Sequence, residues 1–150
     1  MPLSQARPIN SYDATLKALK ETYHSQCVFQ SNSPVDNLQF CFSEDGTLMG
    51  EFLCSTEHQG FDGIVHGGII SAIIDASMAQ CCMGHGFIAY TTDLSIRYRR
   101  PVVINKPCTL KTEIISIARN VLFSLKCRIT QNARIHVEAK GRFFKEKHPK

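Results

Sequence analysis

Residues 63–82 read Gly63-Ile64-Val65-His66-Gly67-Gly68-Ile69-Ile70-Ser71-Ala72-Ile73-Ile74-Asp75-Ala76-Ser77-Met78-Ala79-Gln80-Cys81-Cys82, and the placement of this stretch decides the fold. A helix is expected from about Gly67 to Met83, with apolar or small residues on every side. A helix that is apolar all round is enclosed by its surroundings, so a sheet wrapped around it is expected. One ionisable group, Asp75, interrupts the apolar run. Aspartate is a poor helix former, and its charge is costly to bury without partners. Ser71, one turn earlier on the same side, or the backbone can hold it in a structural role. The alternative is a functional carboxylate, because perturbed acids concentrate at active sites.

The start of that helix carries a second signal. Gly67 and Gly68 have no side chains, so a ligand can approach the N–H groups of the first turn, where the helix dipole favours negative charge. That is the wiring of an oxyanion hole. Two glycines also make an ordinary turn, and His66 an ordinary helix-start residue held by backbone. Gly67 and Asp75 stand eight residues apart, about 12 Å along one helix axis. Both cannot act on a single carbonyl from one chain. If both are catalytic, the carboxylate comes from the partner helix of a two-fold dimer, with two equivalent sites across the interface.

Outside this helix the apolar period changes to two. Leu94, Ile96 and Tyr98 alternate with Ser95, Arg97 and Arg99. Val121, Phe123, Leu125, Cys127 and Ile129 alternate with mostly polar neighbours, and Ile135, Val137, Ala139, Gly141 and Phe143 with Arg134, His136, Glu138, Lys140 and Arg142. Each reads as a half-buried antiparallel strand, with Thr109–Ile117 a looser example. Asn105-Lys106-Pro107 and Arg119-Asn120 supply turns. Upstream, strands Leu38–Phe42 and Leu48–Ser55 flank the hairpin signal Glu44-Asp45-Gly46, preceded by a loop over 31–37. Earlier still, Ser11 or Asp13 caps an amphipathic helix running to about Cys27. Helix, two strands, helix, four strands is an α+β plan. The expected organisation is an N-terminal extension and helix over 1–30, one domain over 31–145 and a disordered tail over 146–150, fraying from Lys145.

The chain's 150 residues suit one domain with a real core, and 43% apolar against 20% charged residues is a folded composition. The 17 basic residues face 13 acidic ones and no Lys/Arg run exceeds two, which favours an anionic small ligand over a nucleic-acid track. The first residues lack the apolar core of a secretory signal, and no uninterrupted apolar stretch is long enough to span a bilayer. A soluble, cytoplasmic protein without membrane or nucleic-acid partners is expected. Seven cysteines without a C-x-x-C pair read as small core residues in a reducing compartment, with no metal site.

Gly63-Ile64-Val65-His66-Gly67-Gly68, with Asp75 nine residues after the histidine, resembles the hotdog-fold thioesterases of the phenylacetyl-CoA type. The likeness extends through 27–37, Asp45-Gly46-Thr47, the strand into Thr56 and Thr92-Asp93-Leu94-Ser95-Ile96-Arg97-Tyr98-Arg99-Arg100-Pro101, covering roughly 27–144. It implies a curved antiparallel sheet wrapped around a central helix, homodimers often paired as dimers of dimers, acyl-CoA substrates hydrolysed to acid and CoA, and no cofactor. By the same resemblance Asp75 is general base or nucleophile, the Gly67 amide polarises the thioester carbonyl, His66 positions that glycine, and Thr91 assists the water or carboxylate. Gly68, Thr92, Arg99 and Arg100 are assigned to substrate. Two positions depart from the pattern: Gly60, with Gln59 beside it, replaces a frequent Asn or Gln, and Ala76 replaces a frequent acid.

Arg97, Arg99 and Arg100, with Lys106, can pair with CoA phosphates, Arg99 and Arg100 being favoured beside Pro101; a solvated strand face is the alternative. Two other hotdog functions compete with hydrolysis. A non-catalytic acyl-CoA-binding or regulatory domain has no need of Asp75. A hydratase pairs a histidine with an acid at a spacing that His58 and Asp75 fit poorly.

Overall fold

The computed structural model describes residues 10–31, 35 and 37–146. In chain order the elements are α1 (Ser11–Tyr23), α2 (Val28–Ser31), β1 (Gln39–Phe42), β2 (Leu48–Phe52), a 3-10 turn (Thr56–His58), α3 (Gly67–Gly84), β3 (Ala89–Tyr98), β4 (Cys108–Ala118), β5 (Leu122–Gln131) and β6 (Arg134–Lys145). The six strands form one antiparallel sheet in the order β1-β2-β4-β5-β6-β3. It curves around α3, which packs against five of the strands and against α1. This is the hotdog arrangement expected above.

Among the described residues α3 alone is, by length and composition, apolar enough to cross a membrane, but eleven of its eighteen residues are buried within the fold. Its enclosure is not complete. Gly67 and Gly68 are exposed, and Ser71, Ala72, Asp75 and Ala79 are half-buried, so a stripe at helical spacing stays uncovered. These residues carry little apolar area, and leaving them partly open costs little. Beside them β3 is an edge of the sheet, with one side of its backbone ladder unpaired.

Two β-bulges set which side chains face α3. In β4 the register shifts between Ile114 and Ser116. The extra residue reverses the alternation, which is why that segment reads as a loose strand. In β3 the shift lies between Thr91 and Asp93, so that Thr91 opposes Phe143 and Tyr98 opposes Val137. Phe143 and Val137 are fully buried. Thr91 and Tyr98, an odd number of residues apart, therefore share the face turned toward α3. The turn at Arg119-Asn120 is present, with φ 53° and 60°. A second such turn, at Asn132-Ala133 with φ 51° and 59°, lacks the glycine that announces this geometry.

The N-terminal helix differs from expectation at both ends. Its cap is Asn10, whose side chain accepts the Asp13 N–H at 2.9 Å. Asp13 instead accepts the Phe42 N–H at 2.8 Å, tying α1 to β1. The helix stops at Tyr23, where the His24 N–H closes on the Lys20 carbonyl. The chain then turns into α2, which spans the expected boundary at residues 30 and 31. The second strand ends at Phe52. Beyond it the Asn37 amide pairs with both backbone groups of Leu53 at 2.7 and 3.1 Å. At the far end Lys145 belongs to β6, and the Glu146 N–H donates to the Ile88 carbonyl at 2.8 Å, so the strand is tied where fraying was expected. Residues 147–150 and 32–34 lie outside the described residues.

Five of the cysteines are buried core residues. Desolvation pushes the Cys54 and Cys127 thiols up to about 11 and those of Cys81 and Cys108 to about 12. Thiols held this high are inert at neutral pH. At the C-terminal end of α3 the packing is tight: a Cβ on Gly84 would stand 2.2 Å from the ring of Phe42. Phe42 is fully buried, and the ring has nowhere to retreat without disturbing the core. Gly84→Ala is therefore expected to destabilise the protein by about 1–3 kcal/mol, despite alanine's better helix propensity. A lowered urea midpoint at unchanged slope is the expected reading; an unchanged midpoint would show that the core yields there.

Candidate active site

The backbone leading into α3 is held on several sides. The His66 N–H donates to the His58 carbonyl and the Val65 N–H to the Val102 carbonyl, both at 2.8 Å. The Gln59 side chain accepts the Gly63 N–H at 3.1 Å. Gly60 leaves room for the imidazole, since a Cβ there would lie 3.3 Å from the His66 ring. His66 is the N-cap, and its Nδ1 accepts the Gly68 N–H at 2.8 Å. An accepting Nδ1 carries no proton, so the neutral ring bears its hydrogen on Nε2. Gly67 is the first helical residue, and among the described residues its N–H has no acceptor.

Two turns along, Asp75 is half-buried, and the Thr91 hydroxyl donates to its carboxylate at 2.6 Å. A hydroxyl bound to a carboxylate makes a strong, charge-assisted contact that fixes the acid's direction. Ser71 does not hold Asp75; its hydroxyl donates to the Gly68 carbonyl at 2.9 Å. His58 is also structural in its ring contact, with Nδ1 accepting the Ser55 N–H at 3.0 Å. This leaves little of a histidine–acid hydratase pair.

A cavity of about 590 Å³ opens at the start of α3, lined by Phe61, Ile64, His66, Gly67, Ile70, Tyr98, Arg99, Arg100 and Val102 among others. Asp75 and Thr91 do not line it. One chain thus presents a residue with an uncapped N–H in a cavity wall and, further along the helix, an oriented carboxylate outside that cavity.

A model of the thioesterase superfamily matches residues 62–142, more than half of the chain, including His66, Gly67, Asp75, Thr91 and Tyr98. The chain belongs to the thioesterase superfamily. It is similar to acyl-coenzyme A thioesterase THEM4 of Rattus norvegicus, 33% identical over 89 residues, a match spanning 58% of this chain but only 38% of the rat protein. Among solved structures, the PaaI protein from the phenylacetic acid degradation operon of E. coli superposes with a TM-score of 0.76 at 12% identity, covering 93% of this chain and 96% of that one. A hypothetical thioesterase from Streptococcus pneumoniae, solved with coenzyme A, has a TM-score of 0.70 at 19% identity and covers 77% and 93%. Mutant forms of a hypothetical thioesterase from that organism, with the same TM-score at 18% identity over 75% and 93%, carry alanine in place of an aspartate and of a threonine sixteen positions later.

Within this superfamily member the residues singled out in the sequence do not all converge. Gly67, His66, Arg99 and Arg100 line the cavity, while Asp75 and Thr91 form the separate pair. Gly68 lines no part of the cavity and its N–H is taken by His66, so the open donor at the helix start is Gly67 alone. Thr92 is the extra residue of the β3 bulge, and its hydroxyl donates to the Arg142 carbonyl at 2.9 Å on the neighbouring strand instead of reaching toward Asp75. Arg97 opposes Glu138 and lines a groove with Lys126, Arg128 and Lys140, away from Gly67. The Arg99 Nε donates to Glu138 at 2.5 Å, which holds that carboxyl below its ordinary value. Arg100 is anchored by one guanidinium nitrogen on the Ile135 carbonyl at 2.9 Å, leaving its other N–H groups for an anion.

By its alternation Tyr98 is no more than an apolar-face strand residue. Its hydroxyl donates to the Gly67 carbonyl at 2.8 Å. Desolvation raises the hydroxyl above its ordinary value, against an opposing hydrogen bond with Ser71, so it remains a donor at neutral pH. The Tyr-Arg-Arg-Pro stretch pointed to the region, but the contact depends on how β3 crosses the start of α3.

Proposed function

We propose that the chain hydrolyses acyl-CoA thioesters to free acid and CoA, at two equivalent sites in a homodimer. Each site would join Gly67 and its cavity from one copy to Asp75 and Thr91 of the other. The observation that carries this reading is the uncapped Gly67 N–H facing a cavity that lacks the carboxylate, with an oriented carboxylate on the uncovered stripe of the same helix. Two α3 stripes facing one another, with β3 edges alongside, would supply what each chain lacks. Dimers of dimers fit the same reading without being required by it.

In this arrangement the thioester oxygen accepts from Gly67 N–H at the positive end of α3, and negative charge developing there is stabilised without reorganisation. Asp75, aimed by Thr91, either takes a proton from water as it adds to the carbonyl, or adds itself to give an anhydride that water then cleaves. Collapse of the tetrahedral species breaks the carbon–sulfur bond and releases the CoA thiolate. Arg99 and Arg100 would meet CoA phosphate oxygens. Support comes also from the rat relative's name, from the coenzyme A bound by the pneumococcal protein, and from the replaced aspartate and threonine there, whose spacing equals that of Asp75 and Thr91. A domain that only bound acyl-CoA would have no use for the Thr91–Asp75 pair.

The test is thiol release from short, medium, long and aromatic acyl-CoA substrates, with mass measured by light scattering at assay concentration. Turnover of at least one by a dimer or larger assembly is expected. No turnover of any, or full activity in a stable monomer, overturns the reading.

A further inference from the structure

Gly67 and Gly68 place two residues without a Cβ at the point where the donor must stand still. A glycine explores φ freely in both signs, and the first turn of a helix is where hydrogen bonding is thinnest. The peptide unit joining these two residues is nevertheless held at both ends by side chains. Its N–H, on Gly68, donates to His66 Nδ1 at 2.8 Å, and its C=O, on Gly67, accepts from the Tyr98 hydroxyl at 2.8 Å. In a trans peptide these groups point in opposite directions. The two contacts therefore pin the plane like a bar gripped at each end. The plane shares the Gly67 Cα with the preceding one, which carries the uncapped Gly67 N–H.

We propose that Tyr98 is a positioning residue for that donor, acting with His66 as a clamp on the Gly67–Gly68 peptide. This rests on the thioesterase reading and extends it to a residue that is not itself required to touch the reacting atoms. Within α3 that plane is otherwise held by His66 at one end and by the helix's own first-turn hydrogen bond at the other, both from one segment of chain. Tyr98 comes from another element and ties the same carbonyl to the sheet, so that the plane does not move with a fraying first turn. The strand that supplies it, β3, also supplies Thr91, and the bulge at Thr92 turns both toward α3. One strand thereby holds the donor of one site and the carboxylate contributed to the other.

Tyr98→Phe deletes the hydroxyl and keeps the ring against the cavity wall. The expected result is a fall in kcat of about tenfold, the equivalent of about 1.4 kcal/mol of transition-state stabilisation, with KM changed less than about twofold. Amide hydrogen exchange at Gly68, followed by NMR, should speed up by a similar factor because the clamped plane opens more often. In a cycle with His66→Ala, the double variant should lose less than the product of the single losses, because both act on one peptide. Wild-type kcat in Tyr98→Phe, a rise in KM alone, or strictly multiplicative losses would overturn the clamp. If the wild-type protein hydrolyses none of the thioesters, the thioesterase reading falls, and the clamp is decided by exchange at Gly68: unchanged protection in Tyr98→Phe refutes it.

Discussion

Gly67→Pro should leave the protein folded and lower kcat by about 10²–10³-fold, the loss seen when one oxyanion donor is removed. Proline at an enzyme's helix start would ordinarily be suspect as a probe, but this position accepts it. Gly67 is the first helical residue, where proline's missing N–H deprives the helix of nothing and its fixed φ suits the turn. The preceding residue must leave the helical region, and His66 sits at φ −58° and ψ 131°, close to the polyproline II conformation that proline tolerates in its predecessor. A Cβ at Gly67 would meet the Tyr98 hydroxyl at 3.6 Å and ring carbons at 3.7 and 3.8 Å, ordinary contacts. The substitution thus deletes one hydrogen-bond donor and places a pyrrolidine ring where the oxyanion would lie. Thiol-release kinetics and thermal melting on the same samples check it. Retained kcat with an intact fold would mean that the amide is not the donor; a large drop in Tm would make the activity loss uninformative, and Gly67→Ala, which keeps the N–H, is the matched control expected to retain most of the rate.

Asp75→Asn is expected to cost about 10²–10⁴-fold in kcat, the span of a general base, and more if the carboxylate is the nucleophile. The amide preserves size, and its oxygen can still accept from Thr91 at the position now held at 2.6 Å. Only the charge and basicity go. The stronger result comes from mixing. If each site takes its donor from one chain and its carboxylate from the other, a heterodimer of Asp75→Asn with Gly67→Pro contains one intact site and one doubly damaged site. Statistical exchange of two nearly inactive homodimers should then restore roughly a quarter of wild-type activity. Sites confined to single chains would give no recovery at all, and exchange verified by mass with no regain of activity would sink the shared-site reading while leaving hydrolysis itself intact.

Much of this arrangement is legible along single elements. The apolar run of 67–83 announces an enclosed helix, the two-residue alternation of β5 and β6 announces half-buried strands, and the eight-residue gap between Gly67 and Asp75, about 12 Å of helix, separates two candidate groups that one chain cannot bring to a single carbonyl. Those conclusions need only the repeat of one element and the rise per residue. What stayed hidden lies between elements. Periodicity does not tell Thr92 from Thr91, and only the resemblance set Thr91 beside the carboxylate; the bulge makes Thr91 the partner of Asp75, while Thr92, assigned to substrate, bonds Arg142. Gly68 looks as open as Gly67 until the His66 ring is seen to close it. Arg97, Arg99 and Arg100 are neighbours in sequence, but Arg97 lies within β3 and lines a groove on the sheet, while Arg100 lies beyond the strand's end and lines the cavity.

The sequence by itself determined the helix, the strand order of types, the glycine start, the lone carboxylate and the need for a second copy if both act together. The resemblance named Thr91 and the Gly67 amide; only the tertiary structure supplied the contacts that set them apart from Thr92 and Gly68, and the reach of Tyr98 to the peptide beside Gly67. The reason is physical: periodicity is a property of one backbone and survives in its residue pattern, whereas a contact between elements depends on register, and a single bulged residue reverses every side chain beyond it.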